Sequence, residues 1–285
     1  MSLRWLVTGA GGQLGTHLAE LLAGAELLAP PRGELDITDQ LAVRRAIDEF
    51  RPDVVVNAAA YTAVDAAESD EPAAAAINHL GAENLARALA AAGSGRLVHV
   101  STDYVFAGDA SEPYDVDAPT CPTGAYGRTK LAGERAVLSA LPARAHVVRT
   151  AWVYGGPGPN FVDTMLRLEQ ERDTVDVVAD QVGSPTYVRD LAAALIALGG
   201  SASAAAVLHY ANAGQASWYD LARETFRLAG ADPERVRPTD TASFPRPARR
   251  PAWSVLSTRV WEAAGLPAPR PWQEALAEKV AAARR

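Results

Sequence analysis

Residues 3–8 form an apolar run without alternation, the pattern of a parallel strand covered on both faces, and they end in Gly9-Ala10-Gly11-Gly12-Gln13-Leu14-Gly15. A helical run over residues 17–25 follows. Strand, glycine turn and helix in this order constrain the fold more than any other stretch of the chain. Glycines let the backbone approach a diphosphate at a helix N-terminus, and the last one lets the helix pack closely on the strand. A glycine pattern alone is a weak signal, but here the flanking strand and helix supply the context it needs. Gly9, Gly12, Gln13, Leu14 and Gly15 are therefore candidate contacts to a dinucleotide.

Strands and helices continue to alternate, which predicts an α/β chain with a Rossmann-type doubly wound parallel sheet. A strand over residues 26–29 runs into Pro30-Pro31-Arg32, where an NAD-specific site usually places a carboxylate for the ribose 2′-hydroxyl. Arg32 stands there instead and suits a 2′-phosphate, which favours NADPH over NADH, although it also reads as a solvated loop residue. Asp36 is either an adenine-side contact or the N-terminal support of the helix that runs to residue 50. The strand over residues 54–57 ends in Ala58, Ala59 and Ala60, an open floor for a flat ring or ribose, or plain packing. A helical region over residues 71–92 and a strand over 96–100 come next, and residues 207–210 read as the last sheet strand.

The strand at residues 96–100 delivers Ser101-Thr102-Asp103-Tyr104-Val105-Phe106 to the carboxyl edge of the sheet, where such folds bind ligands. Tyr126 and Lys130 follow on a helix predicted to reach residue 141, four residues apart and so on one face. A tyrosine has a pKa of about 10, and a neighbouring cation lowers it toward the range of a useful acid. Thr102 and Tyr126 can then grip one carbonyl oxygen while Lys130 tunes the acid. Tyr-x-x-x-Lys also occurs in helices without chemistry, so its weight comes from its surroundings.

Composition narrows the classes. With 48% hydrophobic and 21% charged residues over 285 positions, the chain can bury a large core. No apolar run approaches the roughly 20 residues that span a bilayer, and the N-terminus passes directly into a strand, so no membrane partner and a cytoplasmic location are expected. A net charge of -7 argues against nucleic acid. Cys121 stands alone and the five histidines are scattered, so no metal site is expected. The alternation loosens beyond residue 150. The expected organisation is a cofactor domain over 1–159 completed by about 186–212, with 160–185 and 213–285 forming a small C-terminal substrate-binding lobe.

With the glycine turn, Thr102, Tyr126 and Lys130 in this order, the sequence resembles the extended short-chain dehydrogenase/reductase family. Within it, Asn57-Ala58-Ala59-Ala60-Tyr61-Thr62-Ala63-Val64-Asp65, Arg149-Thr150-Ala151-Trp152-Val153-Tyr154-Gly155 and Asp180-Gln181-Val182-Gly183-Ser184-Pro185-Thr186 look like motifs of the dTDP-4-dehydrorhamnose reductases. The likeness runs over almost the whole chain. It implies reduction of the 4-keto group of dTDP-6-deoxy-L-lyxo-4-hexulose to dTDP-L-rhamnose with NADPH or NADH. Thr102 and Tyr126 would stabilise the carbonyl oxygen, Tyr126 would give the proton, and Lys130 would hold the nicotinamide ribose and lower the tyrosine pKa.

The resemblance also points to Tyr104 and Trp152 beside the sugar and Asn160 near its phosphates. Arg246, Arg249 and Arg250 are candidates for the diphosphate, Arg250 most of all because Arg250-Pro251-Ala252-Trp253-Ser254-Val255-Leu256 is similar to a family motif. That motif commonly carries asparagine at the position of Trp253, a change expected to alter the pocket wall. Some members form a magnesium-bridged dimer through glutamates, and His17 and Arg189 stand at the matching places. A monomer, or a dimer not bridged by magnesium, is expected. The rivals are another dTDP-4-keto-6-deoxysugar reductase and a non-catalytic NADP-binding regulatory subunit on the same fold. A 4,6-dehydratase is disfavoured, because Asp103 is followed by Tyr104 where that group has an acidic pair.

Overall fold

The computed structural model describes residues 3–203 and 205–284. β1 (Arg4–Thr8) leads through the glycine turn into α1 (Gln13–Leu21), and β2 (Glu26–Leu28) returns beside β1. α2 (Gln40–Phe50) is capped by Asp39, whose carboxylate accepts from Leu41 and Ala42 N–H. The sequence offered this role to Asp36, which instead accepts from the N–H and hydroxyl of Thr38 and shapes the turn before the cap. After β3 (Val54–Asn57) and α3 (Val64–Ala67), the expected single helix over 71–92 is three pieces: α4 (Glu71–Ala75), a π-helical stretch (Ala76–Gly81) and α5 (Ala82–Ala92). β4 (Arg96–Thr102), a 3₁₀ turn (Asp103–Val105), α6 (Ala125–Ala140) and β5 (Ala145–Thr150) follow.

The remaining chain gives β6 (Val153–Tyr154), α7 (Phe161–Glu171), β7 (Val175–Val178), β8 (Val182–Gly183), β9 (Thr186–Tyr187), α8 (Val188–Gly200) and β10 (Val207–His209). It closes with β11 (Ala216–Ser217), α9 (Trp218–Leu228), β12 (Val236–Thr239), α10 (Arg259–Ala263) and α11 (Trp272–Ala283). No described helix is long and apolar enough to cross a membrane.

Six strands form one parallel sheet in the order β10-β5-β4-β3-β1-β2. Side-chain alternation divides its core. Trp5, Val7, Val54, Val56, Val98 and Val148 face one side and pack against α1 and α8, whereas Leu6, Val55, Leu97 and Val147 face the other, against α2, α5 and α6. Strands buried on both faces explain the unbroken apolar runs in the sequence. The strand order reverses between β1 and β3, so the crevice for a ligand opens at their carboxyl ends.

Outside this sheet, β7 pairs with β12, β8 with β11 and β6 with β9. Met165 of α7, Val177 of β7, Ala222 and Phe226 of α9 and Val236 of β12 share one small core. The amino end of α9 is closed by a reciprocal pair, Ser217 capping Asp220 N–H and the Asp220 carboxylate accepting from Ser217 N–H.

Candidate active site

The glycine turn fills the crevice at the β1–β3 reversal with backbone. Gly9 has φ +74°, and a Cβ there would lie 2.6 Å from Ala59 N; a Cβ on Gly15 would lie 2.1 Å from Gly9 O. Only glycine permits both approaches. α1 starts at Gly12 with no side-chain cap and no acid in its first turn, leaving its N–H groups available to an anion. A cavity of about 270 Å³ beside the turn is lined by Gly9, Gly12, Arg32, Asp36, Ala58, Ala59 and Ala60. Arg32 pairs with Asp36 at 3.4 Å with its side chain largely exposed. A second cavity of about 620 Å³ shares Gly12, Ala58 and Ala60 and extends past Gln13 and Leu14 to Thr102, Tyr126 and Lys130. The two make one elongated groove whose glycine-lined middle fits the diphosphate of a dinucleotide.

Several long-range contacts set the far wall of this groove. The first turn of α6 is capped by Glu68, which follows α3 and accepts from Ala125 N–H at 2.8 Å. Asn78 of the π-helical stretch holds Thr129 of α6 and the backbone of Tyr61. A Cβ on Gly127 would lie 2.2 Å from Tyr104 O and one on Gly133 2.0 Å from Asn78 O, so α6 sits against both neighbours without side-chain spacers. The Tyr126 ring consequently meets the Tyr104 ring edge-on, with centroids 5.6 Å apart.

The electrostatics differ from the sequence expectation. Burial pushes the Tyr126 pKa up to about 12, the nearby Asp103 carboxylate adds to this, and the Thr102 hydroxyl pulls the other way. Lys130, only 2% exposed, donates to Val100 O at 2.6 Å. Burial pushes its pKa down to about 8, against the pull of Glu134. The expected lowering of the Tyr126 pKa by Lys130 is therefore not the dominant effect in this structure, because desolvation outweighs it and the ammonium is turned to the carbonyl. Behind the lysine, Glu134 accepts from Ser101 Oγ at 2.5 Å and from both arms of Arg149, at 3.0 and 2.8 Å. Asp103 was read from sequence only as half of an acidic pair; it is 3% exposed and lies in the 620 Å³ cavity. Burial pushes its pKa up to about 6, partly offset by the hydroxyls of Ser254 and Thr102.

A third cavity, of about 900 Å³, meets the groove at Tyr104, Trp152 and Pro159. Asn160, Arg246 and Arg250 line it, whereas Arg249 does not. Asn160 is the cap of α7, accepting from Asp163 N–H at 3.0 Å. Arg250 donates to Asp65 at 2.8 Å, which lowers the Asp65 pKa against the effect of its burial. Trp152 is held at φ +46° and stacks on Trp218, with ring centroids 3.6 Å apart. Trp218 went unnoticed in the sequence because α9 was not predicted; Asp65, within a quoted motif, was given no role. Trp253 lines none of the three cavities. Its indole N–H donates to Glu112 O at 2.8 Å and its backbone N–H to Gly108 O, which moves the expected change of pocket wall to the loop at 108–112.

Residues 3–285 match the family described as RmlD substrate binding domain. A dTDP-4-dehydrorhamnose reductase of Streptomyces griseus is 54% identical, over 96% of this chain and 92% of that protein. A probable dTDP-4,6-dihydroxy-2-methyloxan-3-one 4-ketoreductase of Streptomyces antibioticus is 53% identical, over 97% and 94%. The crystal structure of dTDP-4-dehydrorhamnose reductase from Bacillus anthracis in complex with NADP superposes with a TM-score of 0.94 at 38% identity, covering 99% of this chain and 100% of the other. Glycine turn, Thr102–Tyr126–Lys130 groove and adjoining chamber thus occur in a chain that belongs to the dTDP-4-dehydrorhamnose reductase family of NAD(P)H-dependent oxidoreductases.

Proposed function

We propose that this protein reduces the 4-keto group of dTDP-6-deoxy-L-lyxo-4-hexulose to give dTDP-L-rhamnose, in the cytoplasm, with NADPH as reductant and NADH as the lesser donor. The observation that carries this reading is the junction at Tyr104 and Trp152, where a dinucleotide-shaped groove opens into a chamber bearing Arg246 and Arg250. Bound in the groove, NADPH supplies a hydride to the carbonyl carbon. Negative charge then gathers on the carbonyl oxygen, and Tyr126, whose raised pKa keeps it protonated at neutral pH, gives it a proton. Thr102 contributes a second hydroxyl to the same oxygen. Lys130 holds the nicotinamide ribose from the wall of the groove, and Gly9, Gly12, Gln13, Leu14 and Gly15 hold the diphosphate of the cofactor.

In the chamber, Arg250 takes the sugar-nucleotide diphosphate with Arg246, since guanidinium forks match phosphate oxygens. Asn160 adds a polar contact near the phosphates, and Tyr104 and Trp152 pack beside the sugar. At the other end of the groove, Ala58, Ala59 and Ala60 floor the adenosine, Arg32 favours a 2′-phosphate, and Asp36 beside it admits the bare ribose of NADH. His17 pairs with Glu20 and Arg189 with Glu278, which supports a monomer or a dimer without a magnesium bridge.

A second reading is reduction of a different dTDP-4-keto-6-deoxysugar, because the Streptomyces relatives at 54% and 53% identity carry two different activities in their names. Incubating the protein with the L-lyxo or the D-xylo 4-ketosugar nucleotide and NADPH or NADH, following cofactor absorbance and identifying the product by NMR, separates the two. Rhamnose as product establishes the first reading, and turnover of the D-xylo sugar alone establishes the second. Binding of NADPH without turnover of either overturns both.

A further inference from the structure

Thr102 Oγ1 has one proton and two lone pairs. Tyr104 N–H donates to it at 3.2 Å, and Asp103 Oδ1 lies 2.9 Å away. An ionised carboxylate can only accept, so beside it the threonine proton is committed to Asp103. A hydroxyl committed in that way presents lone pairs to a carbonyl oxygen that is gaining negative charge, an arrangement of the wrong sign. A neutral carboxyl with its proton on Oδ1 donates to Thr102 instead, and the threonine proton is released.

The surroundings of Asp103 favour the neutral form. Asp103 is 3% exposed and its other oxygen, Oδ2, is buried without a hydrogen-bond partner, and this burial outweighs the Ser254 and Thr102 hydroxyls, which favour the charged form. The titratable groups that line the same cavity are Tyr126 and Lys130 on α6 and Tyr104 on its own turn, with Arg250 and Asp65 acting on Tyr104 beyond. The one buried cation among them, Lys130, donates to Val100 O and makes no ion pair with Asp103.

We propose that Asp103 is a positioning residue whose neutral form turns the Thr102 hydroxyl into a hydrogen-bond donor toward the substrate oxygen. Asp103 gives no proton to the substrate; Tyr126 does that, and Asp103 acts only through Thr102. The inference rests on the ketoreductase reading above.

The test measures kcat and KM between pH 5.5 and 8 for the wild-type protein, Asp103→Asn, Thr102→Val, Thr102→Ser and the Asp103→Asn/Thr102→Val double variant. A hydrogen bond to a developing charge corresponds to about a tenfold effect, so wild-type kcat should fall about that much as Asp103 ionises, with the KM for NADPH unchanged. Asp103→Asn, whose amide is a donor at every pH, should keep kcat within about threefold of the low-pH wild-type value and lose the falling limb. Thr102→Ser should retain the limb, Thr102→Val should lose it, and adding Asp103→Asn to Thr102→Val should change nothing further. A wild-type limb that persists in Asp103→Asn, or additive effects in the double variant, overturns the proposal. Should Asp103→Asn fail to fold, the contrast between the valine and serine variants decides alone. Absence of any wild-type turnover defeats the reductase reading itself, whereas turnover with no limb defeats only the role of Asp103.

Discussion

In the proposed reaction Tyr126 holds its proton firmly until charge appears on the substrate. Burial raises its pKa, and Asp103 adds to this when ionised, so the phenol is a poor acid toward water and a competent one toward an alkoxide formed beside it. Tyr126→Phe should lower kcat at least about 100-fold while leaving the NADPH dissociation constant within about twofold, which stopped-flow rates and cofactor titration would show. Asp103 makes a separate prediction for stability. Its pKa is about 6 in the folded protein against 3.8 as the ordinary value, so the native state binds the proton more tightly and stability falls as pH rises through that window. At pH 7.5 Asp103→Asn should therefore be more stable than wild type by roughly 3 kcal/mol, and at pH 4 the two should be about equal, as read from urea midpoints. Tyr126 and Lys130 were legible in sequence because a four-residue spacing is local information. The electrostatics of Asp103 were not, because its burial is a tertiary property and Ser254, which faces it, lies 151 positions further along the chain.

At the level of elements, the glycine turn separates positions by the space that a methyl group would meet. Gly15→Ala drives its Cβ to 2.1 Å from Gly9 O, whereas nothing lies within 4 Å of a Cβ on Gly11. Gly15→Ala should cost about 3 kcal/mol or more and abolish NADPH binding, and Gly11→Ala should stay within about 1 kcal/mol of wild type; thermal unfolding with and without cofactor would compare them. The sheet, its helices and this turn were readable because covered strands leave unbroken apolar runs and crossover helices separate them. α9 was missed although its Ser217–Asp220 cap and one-sided apolar face are local signals; what sequence does not announce is where that face goes, Ala222 and Phe226 packing with β7 and β12 and Leu221 with Tyr187 and Trp272. The π-helical stretch was also hidden, although it carries the Asn78 that steadies α6.

The whole molecule places the proposed cofactor groove and the proposed substrate chamber so that they share the Tyr104–Trp152 junction. Family likeness supplied Tyr104, Trp152, Asn160 and Arg250 as names, but their meeting depends on contacts such as Arg250 with Asp65, which are 185 positions apart. Arg250→Ala should raise the KM for the sugar nucleotide about 10- to 100-fold with kcat changed less than about threefold, because a phosphate contact made equally in ground and transition states contributes to binding alone. Steady-state kinetics at fixed saturating NADPH would measure it, and added salt should weaken the wild-type advantage. The stacked indoles of Trp152 and Trp218 stand at this same junction, 7° from parallel. Chromophores that close share their excited states, so the junction carries a built-in optical antenna, and a sugar ring settling against Trp152, as proposed above, should change how the whole molecule absorbs and emits near-ultraviolet light.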